Sequence, residues 1–173
     1  MAGGDTSRHH DDDELCRQLM GDGAPTLEQF FAAAEPLKVR ATCVMVRGAI
    51  DSRADVFRYL DRLAAFGVRE FTFKHTYTAY ERSVFRHSRQ DRWADANQVN
   101  ADPFADCGQV LAELPWGPRI RRLGEFQVCY YFEPDPAWEL ENQLCRSWNL
   151  LSDGRVYASL EDHRSQLFRL PTW

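Results

Sequence analysis

Four side chains that could contact or protonate a ligand lie close together near the middle of the chain: Lys74, His75, Tyr77 and Tyr80. An ammonium group binds anions, and an imidazole gains or loses a proton near neutral pH. Lys74 is one of only two lysines among 21 basic residues. The alternative is that a charged residue at the end of a strand is simply solvated. We therefore treat these four residues as a candidate substrate-binding group.

Residue types that bind metals occur in two further places, but neither has the spacing of a metal site. His75, Glu81 and His87 are six positions apart, which matches no ligand pair of a helix or hairpin. His9 and His10 precede three aspartates in a segment polar enough to be a flexible acidic leader. We expect no metal ion. The chain also contains no phosphate loop, no HExxH motif and no Ser-His-Asp order.

The five cysteines form no recognisable redox or zinc motif. They are odd in number and never closer than 16 positions, at Cys16, Cys43, Cys107, Cys129 and Cys145. Cys43 and Cys129 lie in apolar runs, where a free cysteine packs as a small hydrophobic residue. We expect all five to be reduced and structural.

The elements that must position Lys74 and His75 are a strand, a helix and a second strand over residues 39–74. Val39–Val46 is apolar and β-branched, the pattern of a strand buried on both faces of a parallel sheet. Gly67 favours the end of a helix, and Val68–Phe73 has the composition of a strand. Between the strands, apolar residues recur at helical spacing: Val56, Tyr59, Leu60, Leu63 and Ala64. We therefore predict two parallel strands joined by a helical crossover.

The segment after this unit, residues 75–97, mixes charges and aromatic residues without a clean period. We expect an irregular segment with one helical turn near residues 81–88. It follows the carboxyl end of a parallel strand, where loops of α/β folds converge around ligands.

The remaining chain predicts helices before the central unit and strands after it. The helices span residues 15–20 and 27–35, and a short strand and a helix follow at 98–114. Antiparallel strands are expected at residues 126–132, 145–151 and 156–160. Ser152-Asp153-Gly154 joins the last two as a hairpin turn.

Composition and charge exclude several classes of partner. The chain has 173 residues, is 44% hydrophobic and carries a net charge of -5, with a pI near 5.5. This charge gives no electrostatic basis for binding nucleic acid or an anionic membrane. No apolar run is long enough to span a bilayer, and the N-terminus lacks the basic and apolar order of a signal peptide. We expect a cytoplasmic protein.

Two blocks of sequence resemble radical S-adenosylmethionine enzymes, in the carboxyl half of the group that includes the molybdenum-cofactor GTP cyclase. Residues 39–74 resemble the last two strands of that family's partial barrel, with VRATCVMVRG, a helix and then GVREFTF. Residues 145–162, CRSWNLLSDGRVYASLED, are similar to its tail hairpin. The resemblance implies an α/β fold: a half TIM-type barrel with a parallel β-α-β unit and an antiparallel hairpin extension.

The cysteines that would hold iron-sulfur clusters in this family are missing from the sequence. Cys145 and Asp153-Gly154 match the tail, but Ser159 and Asn142 stand at two cysteine positions. The Cys-x3-Cys-x2-Cys spacing of the radical-generating cluster does not occur either. We expect no iron-sulfur cluster in this chain and no radical chemistry by the chain alone.

The resemblance also implies positions for ligand contacts. Strands 39–46 and 68–73 would line the adenosyl part of S-adenosylmethionine through Thr42, Val44, Phe71 and Phe73. The alternative is that these four residues are ordinary packing of a barrel interior.

On the tail, Arg146, Trp148 and Asn149 stand where the cyclase group has Asn-Arg-x-Arg. Of these, Arg146 and Asn149 are the candidate substrate contacts, because arginine suits bidentate anion binding. A structural pairing of Arg146 with Asp153 or Glu161 is the alternative.

We therefore expect three regions along the chain. Residues 1–12 form a disordered acidic tail, residues 13–97 a partial barrel around the core at 39–74, and residues 98–173 an α+β extension with its hairpin at 145–160. The outer edge of strand 39–46 would expose unpaired backbone groups. A second protein chain, a second copy of this chain or the N-terminal helices would have to cover it.

The leading functional hypothesis is a non-catalytic or split subunit that shapes the substrate and S-adenosylmethionine site of a cluster-bearing partner in biosynthesis or modification. Its substrate would be a small molecule or peptide. The alternative is an independent small-ligand-binding protein with a half-barrel pocket. A third hypothesis is a cluster-free enzyme that uses His75 as acid or base.

Overall fold

The computed structural model describes residues 3–35, 37–75, 81–86 and 88–171, with the side chains of residues 3–5 left out. The chain divides into two compact units that interleave along the sequence. The first unit is Met1–Thr76 with Gln98–Phe132, and the second is Tyr77–Asn97 with Glu133–Trp173. Residues 98–132, which we expected in a C-terminal extension, thus belong with the central β-α-β unit.

The first unit is built on a largely parallel sheet of six strands. The strands are β1 Gly3–Ser7, β2 Lys38–Met45, β3 Glu70–His75, β4 Gln109–Glu113, β5 Arg119–Leu123 and β6 Phe126–Tyr131. Their spatial order is β1-β2-β3-β6-β5-β4, in which β1, β2, β3 and β6 are parallel neighbours, β5 is antiparallel to β6, and β4 is antiparallel to β5. The helices are α1 Asp13–Met20, α2 Leu27–Ala34 and α3 Arg53–Ala64. The predicted parallel pairing of the two central strands is confirmed.

Strand β1 corrects the prediction of a disordered tail over residues 1–12. Gly3–Ser7 pairs in parallel with β2, from Gly3 beside Lys38 to Ser7 beside Thr42. We expected another chain, a second copy of this chain or the N-terminal helices to cover this edge of β2. The edge is occupied by β1. This pairing uses backbone groups, which are the same in every sequence.

The core of the first unit lies on one side of the sheet, which we call the covered face. Alternate residues of β2 and β3 are buried there, because successive side chains of a strand point to opposite faces. They are Ala41, Cys43, Met45, Phe71 and Phe73. Helix α3 packs on them through Val56, Tyr59, Leu60 and Leu63. The side chain of Ser52 caps α3 by accepting from the Asp55 amide.

Three predicted elements differ from the structure. The segment expected to be irregular contains α4 (Arg89–Ala96), which is polar and buries no residue. The helix expected within residues 98–114 is absent from that described segment, which holds β4. Strand β6, expected to be antiparallel, pairs in parallel with β3 and antiparallel with β5.

The second unit contains a smaller antiparallel sheet. Its elements besides α4 are α5 Pro136–Glu141, β7 Asn149–Leu150, β8 Arg155–Tyr157, a 3-10 turn at His163–Ser165 and β9 Gln166–Arg169. The predicted hairpin is confirmed as β7 and β8, and β9 adds a third strand beside β8. Gly154 has a φ of +82°, and a Cβ there would lie 2.8 Å from the carbonyl oxygen of Leu170. This turn therefore requires glycine.

None of the helices in the described parts of the chain combines the length and the apolar composition needed to cross a bilayer.

Candidate functional site

The candidate site lies on the side of the first sheet opposite α3, which we call the open face. Its residues alternate with the buried ones and align in rows across β2, β3 and β6, because paired residues of neighbouring strands share a face. From the amino to the carboxyl ends of the strands, the rows are Arg40-Glu70-Gln127, Thr42-Thr72-Cys129 and Val44-Lys74-Tyr131. The same strands thus carry a polar surface on one side and the core on the other.

A cavity of about 460 Å³ lies over this face. That volume falls within the range of roughly 300–1,000 Å³ that is usual for small-molecule sites. Its polar side chains come from the three rows, and its apolar wall comes from Leu114 and Ile120. The cavity is large enough for a small organic ligand.

The amino-terminal row is an ion-pair cluster. The Glu70 carboxylate accepts from the Lys38 ammonium and lies 3.5 Å from the Arg40 guanidinium. The hydrogen bond from Lys38 is the main cause that lowers the pKa of Glu70. Glu70 is therefore charged at neutral pH and shared between two cations.

The middle row presents hydroxyl and thiol groups. Thr42 and Thr72 are register partners, and Cys129 lies beside Thr72. Burial raises the pKa of Cys129 to about 11. Its sulfur is therefore a protonated thiol at neutral pH and not an activated nucleophile.

The carboxyl-terminal row places a cation against an aromatic ring. The Lys74 ammonium lies 5.2 Å from the centroid of the Tyr131 ring. The Trp116 ring meets Tyr131 nearly perpendicularly at 6.1 Å, and the Trp116 indole N–H donates to the Phe132 carbonyl over 2.9 Å. These contacts hold Tyr131 in place beside Lys74.

The four residues predicted to bind S-adenosylmethionine do not share one face. Thr42 and Val44 lie on the open face, but Phe71 and Phe73 lie on the covered face and are only 2% and 0% exposed. The neighbour of Thr42 on the open face is Thr72. The four residues are divided because successive side chains of β3 point to opposite faces of the sheet.

The predicted substrate-binding group is also divided. Lys74 lies on the open face, whereas His75 is the register partner of Met45, whose side chain is buried in the core. Burial lowers the pKa of His75, so its ring is neutral at pH 7. Tyr77 and Tyr80 fall outside the described residues.

Arg146 and Asn149 lie in the second unit and have structural partners there. The Arg146 guanidinium donates to Glu139 and to Glu133, both over 2.5 Å. The Asn149 amide donates to the carbonyl oxygens of Tyr157 and Ala158 over 3.2 and 3.3 Å. The expected partner Asp153 pairs instead with Arg155.

His9 is a residue whose place the sequence did not predict. The backbone amide of Val44 donates to its Nδ1 atom over 3.2 Å. The proton of the neutral ring therefore resides on Nε2, and burial lowers the pKa of His9. The position of His9 depends on β1. Thr6 is the only β-branched residue among residues 1–12, so no strand pattern in the sequence predicts β1.

Among the described residues, no group of three or more histidine, cysteine and acidic side chains is arranged to hold a metal ion. No family model, no curated protein and no solved structure matches the chain.

Proposed function

We propose that this chain is a non-catalytic binding protein that holds a small organic molecule on the open face of its parallel sheet. The observation that carries this proposal is the cavity of about 460 Å³ above rows of polar side chains. A sheet face that only had to be solvated would need no cavity, and one that only packed against protein would be apolar.

The states of the groups around the cavity favour binding over catalysis. Glu70 is a charged carboxylate in an ion-pair cluster, and Cys129 is a protonated thiol. Neither is tuned to exchange protons or attack a substrate near pH 7, which is the usual sign of a catalytic group. Together with Thr42 and Thr72, they form a surface of fixed donors and acceptors.

Filling the cavity tests this proposal. Thr72→Trp places an indole in the middle row, and Val110→Trp, on the exposed strand β4, is the matched control. Both variants and the native chain are incubated with a mixed metabolite extract and examined by native mass spectrometry. We expect small-molecule adducts on the native chain and on V110W, and their loss on T72W. Equal adducts on all three proteins, or none on any, would refute binding at the open face.

A second candidate is supported by the order of the strands. β1, β2 and β3 are neighbours in space in the same order as in the chain, with helices between them, as in one segment of a barrel. In this candidate the chain is the carboxyl half of a radical S-adenosylmethionine barrel. The open face would then be part of the barrel interior, and a partner chain would supply the cluster cysteines.

Of the four residues that the resemblance assigns to the adenosyl group, this candidate keeps Thr42 and Val44, which lie on the open face. Calorimetric titration with S-adenosylmethionine tests it, with S-adenosylhomocysteine as a second ligand and Thr42→Trp as the blocked variant. Saturable binding that T42W removes would support it. Heat that is unchanged in T42W, or an iron-sulfur cluster formed by the isolated chain on anaerobic reconstitution, would contradict it.

A further inference from the structure

We propose that the attachment of β1 to the sheet is sensitive to pH: protonation of His9 and His10 releases residues 3–25 while the rest of the first unit stays folded. These residues comprise β1, α1 and the turn after α1, and we call them the amino-terminal segment. The inference concerns a conformational change and is independent of what the open face binds.

A side chain replaces a backbone acceptor at the carboxyl end of the pairing between β1 and β2. The Arg8 amide donates to the Thr42 carbonyl over 2.9 Å, and in a parallel ladder the Val44 amide would next donate to the Arg8 carbonyl. That carbonyl instead accepts from the Tyr59 hydroxyl over 2.8 Å. The Val44 amide donates to Nδ1 of His9 over 3.2 Å. A proton on Nδ1 would therefore remove the last hydrogen bond of this ladder.

His10 uses its ring in the same way one residue later. Its Nδ1 atom accepts from the backbone amide of Asp12 over 2.9 Å. Asp12 is the N-cap of α1, and its carboxylate accepts from the amides of Glu14 and Leu15 over 3.0 and 2.9 Å. Protonation of His10 therefore disturbs the turn from which α1 begins.

The electrostatic surroundings of the two rings differ, but both disfavour a charged imidazole. Burial is the one cause that shifts the pKa of His9, and it lowers that pKa. The charged groups around His10 lie on its own turn and on α3: Asp11, Asp12, Asp55 and Arg58. Burial outweighs them and lowers the pKa of His10 as well. Asp11 would attract an imidazolium ion, but it already accepts from Arg58 over 3.1 and 3.3 Å.

The direction of the pH effect follows from these lowered values. In the released segment both histidines have the ordinary pKa near 6.5, whereas both values are lower when the segment is bound. Below pH 6.5 the released form therefore binds more protons than the attached form. Its population should rise by up to about tenfold per histidine for each pH unit.

Other contacts of the segment are internal or leave the remaining sheet intact. The buried Arg8 guanidinium pairs with Asp13 and donates to the Pro25 carbonyl over 2.8 Å, and all three residues belong to the segment. Strand β2 pairs with β3 from Arg40 to Met45 without any contribution from β1. The segment can therefore separate as one piece while β2 stays in the sheet.

Two buried thiols are natural reporters of this release. Cys43 on β2 is fully buried, and its thiol donates to the His9 carbonyl over 3.7 Å. Cys16 on α1 is 1% exposed. Cys145 is exposed in the second unit and serves as the internal reference. The five tryptophans of the chain begin at Trp93, so their fluorescence reports on the structure outside the segment.

Thiol labelling of the native full chain tests the inference. The protein is treated with 4,4′-dithiodipyridine, which reacts with thiols in mild acid, at steps from about pH 7 to pH 5, and peptide mapping gives the rate at each cysteine. We expect the rates of Cys43 and Cys16 relative to Cys145 to rise about tenfold or more over this range, with unchanged tryptophan emission. Constant relative rates would overturn the inference. A rise that follows a change in tryptophan emission would also overturn it, because the opening would then be global.

Substitution by asparagine assigns the effect to His9. His9→Asn places an amide oxygen where Nδ1 lies, so the acceptor for Val44 remains but cannot be protonated at these pH values. His163→Asn removes a histidine of the second unit and is the matched control. We expect H9N to reduce the acid-induced rise at Cys43 at least threefold and H163N to behave like the native chain. His10→Asn, with a smaller expected reduction, replaces H9N if that variant exposes Cys43 already at pH 7. A rise equal to the native one in both H9N and H10N would overturn the inference.

Discussion

The covered and open faces of the first sheet are made by the same strands, yet they have opposite chemistry. On β3, Phe71 and Phe73 are buried against Tyr59, whereas Glu70, Thr72 and Lys74 line the cavity on the other side. Each successive residue thus alternates between packing and a surface for recognition. Mutations at adjacent positions should therefore have very different effects, and the following predictions test this contrast.

The largest difference is expected between neighbours on β3. Phe73→Ala removes a ring that contacts Tyr59 and Phe104, and it should lower the free energy of unfolding by about 3–5 kcal/mol. Thr72→Ala, one residue away on the open face, should change it by about 0.5 kcal/mol or less. Urea denaturation followed by circular dichroism measures both. Similar losses in the two variants would show that the faces are not distinct.

A second pair of neighbours lies on β5. Arg121 is 6% exposed and donates to the carbonyl oxygens of Cys107 and Ala105, whereas Arg122 is exposed. Arg121→Met removes this buried guanidinium and leaves the carbonyl oxygens of Cys107 and Ala105 without their donor, and we expect a loss of about 1–3 kcal/mol. Arg122→Met is the control and should change stability by less than about 0.5 kcal/mol. A stable R121M variant would mean that water replaces the guanidinium.

The pH dependence of stability should distinguish the histidines with lowered pKa values from Glu70 on the open face. Burial lowers the pKa of His9, His10 and His75, so the unfolded chain binds more protons below the ordinary histidine value of 6.5, and stability should fall as pH drops through 6.5. The lowered pKa of Glu70 gives stability that is present above its ordinary value of 4.5 and lost below it.

Denaturation at stepwise pH values measures both windows. His9→Gln should reduce the loss of stability in the upper window, to which His10 and His75 also contribute, and leave the lower window unchanged. Glu70→Gln should reduce the loss in the lower window and leave the upper one unchanged. A single transition shared by both variants would contradict this assignment.

The smallest expected effect is a difference in reaction rate among the thiols. It involves no change in the free energy of unfolding. Cys43 is fully buried on the covered face, Cys129 is partly exposed on the open face with a raised pKa, and Cys145 is exposed in the second unit. We expect reaction with a disulfide reagent in the order Cys145, then Cys129, then Cys43. Peptide mapping after timed quenching gives the order, and early labelling of Cys43 would show that the covered face opens.

Much of the fold could be predicted, because its central elements have strong local signals. The apolar run Val39–Val46 and Gly67 at the end of α3 indicate the β-α-β unit, and Asp153-Gly154 indicates the hairpin. Strand β1 could not be predicted, since it pairs with β2 through backbone groups and its sequence, GGDTS, has no apolar alternation. Helix α4 buries no residue, and its single large apolar side chain, Trp93, leaves no apolar period to detect.

The site was predicted only in part. Lys74 is conspicuous because lysine is rare, but Glu70, Thr72, Cys129 and Tyr131 form rows only through the register of β3 with β6. That register joins segments distant in the chain and cannot be read from local composition. The resemblance implies that Phe71 and Phe73 contact a ligand, but the alternation along β3 places both in the core.

The alternation on β3 also has a consequence for insertions and slippage. If β3 shifted by one residue against β2, Glu70 and Lys74 would turn inward toward Tyr59, and the two phenylalanines would face water. Burying unpaired charges is far more costly than losing one pair of ladder hydrogen bonds. The polar rows therefore favour the native register of β3 over the shifted one. A single residue inserted between Glu70 and Lys74 should abolish folding even when no ligand is available.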